Sequence, residues 1–69
     1  MNKAIKAGRL AISAEHIGNE HEAEQAARTA GALARRAGAD LDTLYASLDG
    51  IARAELSWNA MVDGWYQAA

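Results

Sequence analysis

The fold turns on "GADLDTLYASLDGIARAELSWNAMVDGWYQ", residues 38 to 67. Within it Leu41, Leu44, Leu48, Ile51, Glu55, Trp58, Val62 and Trp65 are spaced alternately by three and four. That is the heptad spacing of a helical seam, interrupted only by one acid. Asp40 stands ready as an N-cap, with Asp42 in the first turn, where the helix dipole favours negative charge. The register passes unchanged through Asp49-Gly50, a pair that bends a helix or divides it in two. The spacing therefore predicts one long helix over 41–66, with room for a bend at the glycine. A seam of this kind faces another helix, from the same chain or from a second copy. Glu55 is costly there if buried alone, so it is expected to be paired, at the seam's edge, or a register-fixing polar residue. Tyr45, Met61 and Tyr66 flank the seam.

Upstream, proline is absent and strand-like alternation is missing. A first helix is predicted from about Asn2, its N-cap, to about Ile17. At 100° per residue Lys6, Arg9, Ser13 and His16 share a polar stripe. Ala4, Ala7, Ala11 and Ala14 lie opposite, with Ile5 and Ile12 on one flank and Leu10 and Ile17 on the other. "GNEHE" (18–22) then stops one helix and starts the next: Gly18 breaks, Asn19 caps, and Glu22 completes a capping box. The second helix is expected over 20–37, with Arg35 and Arg36 in its last turn and Gly38 after it. Its inner face is Ala23, Ala26, Ala27, Ala30, Leu33, Ala34 and Ala37. Methyl groups let a neighbouring backbone come close, so this face should dock tightly. Glu24 and Arg28 form an exposed pair one turn apart, worth roughly 0.2–0.5 kcal/mol.

The expected fold is thus all-α: a single domain over 1–69, a hairpin-like bundle of two short helices and one long C-terminal helix. Sixty-nine residues build only a small core. There is no cysteine, so no disulfide or thiolate metal site supplements that core. Two short helices do not cover a seam this long as well as the wide apolar arc of the first helix. A homodimer is the economical solution, with Leu41, Leu44, Leu48, Ile51, Trp58, Val62 and Trp65 as its interface.

The net charge of −2 argues against non-specific nucleic-acid binding, which needs a basic surface. No apolar run reaches the length of a membrane span, and "MNKAIKAGRLAISAE" (1–15) lacks a continuous signal-peptide core. No glycine-rich phosphate loop follows a strand, and no Ser-His-acid arrangement has a recognisable spacing. His16, Glu20, His21 and Glu24 cluster around one turn, but the spacing fits no metal signature, and capping and surface roles are the better reading. No cofactor is expected, and no enzymatic activity. The expected partner-binding residues are the acids Glu20, Glu22, Asp40 and Asp42, which are also caps and solvated faces. To them are added Tyr45, Met61 and Tyr66, of types enriched in protein interfaces.

"NEHEAEQAARTAGALARRAGADLDTL" (19–44) resembles a small helical domain of unknown function in bacterial and phage proteins. The shared pattern is Asn-Glu, then Glu-Ala, alanines at helical spacing, a leucine, a glycine break and an Asp. "AIKAGRLAISAEH" (4–16) resembles the helix that precedes it. These are caps and packing positions, which identify a fold better than a function. By its size and tail the whole chain further resembles small proteins made early in infection by temperate Pseudomonas phages, which suppress host quorum sensing and pilus assembly. That resemblance implies a protein of the host cytoplasm that binds the regulator LasR and the pilus-assembly ATPase PilB directly. Inhibition of another host system, such as a CRISPR effector, and a purely structural dimerisation module share the same size, charge and lack of catalytic groups.

Overall fold

The computed structural model describes residues 1–69 and is all-helical. Helix α1 spans Asn2–His16, α2 Glu20–Arg36, α3 Leu41–Ala46 and α4 Glu55–Gln67, with one 3₁₀ turn at Ile51–Arg53. The caps read for α2 and α3 are in place, whereas Asn2 is the first residue of α1 rather than its cap, and Met1 before it offers no side-chain cap. Asn19 Oδ1 accepts from the Glu22 backbone N–H at 3.4 Å, and Asn19 Nδ2 donates to Glu22 Oε2 at 2.8 Å. Asp40 Oδ1 accepts from the Thr43 backbone N–H at 2.8 Å. The Glu24–Arg28 pair forms on the surface at 3.4 Å. Helices α1 and α2 end alike: Asn19 N donates to Ala14 O and Ala39 N to Ala34 O, both at 2.9 Å, the wide closure of a Schellman turn.

The predicted long helix over 41–66 does not form. Helix α3 stops at Ala46, where Ser47 turns its hydroxyl back to donate to Thr43 O at 2.7 Å. Gly50 then takes φ +81°, a conformation that side-chain-bearing residues avoid. Only after the 3₁₀ turn does α4 begin. The unbroken heptad spacing is therefore a coincidence of two separately directed elements. Glu55 is likewise no buried seam residue: it is exposed in the first turn of α4, where the helix dipole favours an acid.

Helices α1 and α2 form an antiparallel hairpin, which brings Leu33 and Arg36 beside the first residues of α1. Helix α4 lies on α2 and runs in the same direction, with Glu24 near Asn59 and Arg35 at Trp65. Parallel neighbours need a long connection. Residues 37–54 supply it by returning along α1, where Leu48 packs over Gly8 and Gly50 passes Ile12.

Small residues set the spacing. Ala23, Ala27, Ala30 and Ala34 of α2 are fully buried. At the α2–α4 crossing there is no room for any side chain. A Cβ placed on Gly31 would fall on the Met61 carbonyl and 2.8 Å from Trp65 N, and one on Gly64 would fall on the Arg28 carbonyl. The large core side chains are Leu44, Leu48, Ile51 and Met61, each contributing about 1.5–3 kcal/mol by burial. The crossover, not a second copy, buries three of the seam's aliphatics.

Candidate interaction surface

Helix α4 has no cap of its own, because the residue before it is Ala54. Glu15, near the end of α1, supplies one. Its Oε1 accepts from the Ser57 backbone N–H at 2.8 Å and from the buried Ser57 hydroxyl at 2.6 Å. Burial pushes the Glu15 carboxyl upward. The side-chain and backbone hydrogen bonds from Ser57, the Leu56 N–H and the neighbouring His16 outweigh that, and the pKa is lowered. This contact fixes where α4 starts, and so where its outer residues point.

At the other end Trp65 holds α4 to the α2–α3 turn. Its indole N–H donates to Ala39 O at 2.9 Å, and the Arg35 guanidinium lies 3.9 Å from the ring centroid. Further along, Tyr45 of α3 meets Trp58 of α4 edge to face, ring centroids 5.0 Å apart. Helix α3 therefore runs antiparallel along α4, touching it through aromatic side chains. Half-buried Leu41 and Val62 fall between these two contacts. Tyr66, 63% exposed, stands edge to face on Trp65. The result is a half-exposed aromatic strip across α3 and α4, with exposed Asp40 and Asp42 at the α3 end. The backbone and then the side-chain hydrogen bond from Thr43 hold the Asp40 carboxyl below its ordinary value, so it stays ionised.

The structure divides the expected site residues into three groups. Leu44, Leu48 and Ile51, expected in a dimer interface, belong to this chain's own core, as does Met61, expected as a partner anchor and fully buried instead. Leu41, Trp58, Val62 and Trp65 from the same expected interface join Tyr45 and Tyr66 on the strip. Glu20 and Glu22 are exposed in the first turn of α2, away from the strip, beside the α1–α2 turn. Sequence reading missed Glu15, Ser57 and the glycine pair Gly31 and Gly64. The glycines carried a signal, since two small residues stand where a helix would otherwise carry bulk.

The remaining concavities are open grooves. One lies between the ends of α2 and α4, with Arg28, Arg36 and Gln67 along it, and a second continues past Leu33 to Met1 and Lys3. No three acidic or histidine side chains come together in a way that would hold a metal ion. No helix is long and apolar enough to cross a membrane. No family model, curated protein or solved structure matches the chain.

Proposed function

We propose that the protein is a non-enzymatic inhibitor that works by occupying surfaces of other proteins. Its targets are those the phage resemblance implies, LasR and PilB, and it meets them as a homodimer in the host cytoplasm. The observation that carries the reading is the strip of Tyr45, Trp58, Trp65 and Tyr66 with Asp40 and Asp42 beside it. Half-buried Trp and exposed Tyr side chains braced by their neighbours are the usual anchors of protein interfaces. Acids at the rim match a regulator whose DNA-binding helix-turn-helix is basic, and occupying that surface excludes DNA by simple overlap.

Surface plasmon resonance on immobilised LasR at two salt concentrations tests this. Tyr45→Ala is expected to raise the dissociation rate by about tenfold or more with little salt dependence. Asp42→Lys is expected to slow association, and added salt should mimic it in the wild type. Wild-type kinetics for both variants would remove the strip from the interface.

A further inference from the structure

We propose that two copies of this chain pair through the outer face of α1, antiparallel about a two-fold axis at Leu10. The proposal deepens the homodimer reading above and rests on it. Leu44, Leu48 and Ile51 of the expected interface lie in the chain's own core, and the remaining residues lie on the strip assigned above to other partners, so the dimer is placed on a different surface.

The outer face of α1 has an unusual make-up. Leu10 is 57% exposed and Ile17 81%, and they are the exposed large aliphatics of the molecule. Seven residues apart, they lie on one side of the helix. Exposed around them are Lys3, Lys6 and Arg9, and no acid shares the face, since Glu15 points the other way to Ser57. The acids lie just beyond the helix, with exposed Glu20 and Glu22 in the first turn of α2. Along the hairpin edge, charge therefore runs from basic at the start of α1 to acidic at the α1–α2 turn.

Such an edge is complementary to itself when reversed. A parallel pairing would set Lys3 on Lys3 and Lys6 on Lys6. An antiparallel pairing sets Leu10 against Leu10 of the second copy. It also lays Ile17 over the aliphatic stem of the second copy's Lys3, whose ammonium then reaches the Glu20 turn. The contact is isologous, so it closes at two copies and builds no filament. Both aromatic strips stay uncovered, on α3 and α4.

The wild-type chain has no cysteine, which permits a clean test. Light scattering gives the mass, and Leu10→Cys and Tyr66→Cys are compared for disulfide-linked dimer under mild oxidation. Both positions are exposed, so neither change should disturb folding. A dimeric mass with cross-linking at Leu10 and not at Tyr66 is expected. A dimeric mass with the reverse pattern, or with equal cross-linking, overturns the α1 face and leaves the homodimer standing. A monomeric mass at all concentrations overturns both. Lys3→Glu should weaken the dimer by about tenfold, and adding Glu20→Lys should restore it. A double variant as weak as the single one overturns the antiparallel register.

Discussion

Glu15 does for α4 what nothing near α4 in the sequence does. Asn19 and Asp40 cap helices that begin at the next residue, so their roles are legible from spacing alone. Glu15 caps from 42 residues away, and no local pattern announces it. Ser57 reads as one more polar residue until its hydroxyl is seen buried against that carboxylate. The contact has a pH signature. The folded-state pKa of Glu15 is lowered, so its stabilisation is complete above the ordinary carboxyl value of about 4.5 and drains away as pH falls through the folded value. Glu15→Gln keeps an acceptor and discards the charge, at an expected cost of about 1 kcal/mol at pH 7. As pH falls through the carboxylate range and below the lowered Glu15 value, wild type and variant should converge. Melting temperatures followed by circular dichroism across that range check this, and a constant gap would mean that the carboxylate's charge is irrelevant to the cap.

At the scale of elements, side-chain size decides more than hydropathy. The face α4 turns inward is Ser57, Ala60, Met61 and Gly64, while Trp58, Val62 and Trp65 sit half-buried at its side. Reading apolar bulk as the buried face therefore chose the wrong side of this helix. For α2 the opposite logic, small residues marking close approach, identified the docking face, and the same logic applied to Gly64 would have located its partner. Gly31→Ala tests how close that approach is. Helix propensity alone favours alanine by about 1 kcal/mol. The added methyl, however, meets backbone that has nowhere to go, and overpacking typically costs about 1–3 kcal/mol or more. The clash should win. Urea denaturation is expected to show a net loss of stability for Gly31→Ala, and a stability gain would mean that the helices separate easily. The break after Ala46 was only half legible: Asp49-Gly50 offered it, and the unbroken heptad argued against it.

For the whole molecule, the all-α class, the single small core and the first two helices followed from composition and periodicity. The path of the chain did not. That α4 lies parallel to α2, reached by a crossover along α1, depends on contacts between residues thirty or more positions apart, such as Arg35 with Trp65. That path has a kinetic side. The α2–α4 contacts reward folding only after the intervening loop has closed, which slows the search. Yet Met1 and Ala68 flank neighbouring grooves that share Leu33 and Arg36, so the two chain ends lie at the same pole. Joining them by a short glycine-serine linker and reopening the chain between Asp49 and Gly50 would reorder the helices as α4, α1, α2, α3. The three long helices would then alternate in direction like a simple up-down bundle, with no change in any packed contact. Such a circular permutant should refold faster than the natural order in stopped-flow tryptophan fluorescence. An equal or slower rate would mean that the crossover is formed early and is no obstacle to assembly.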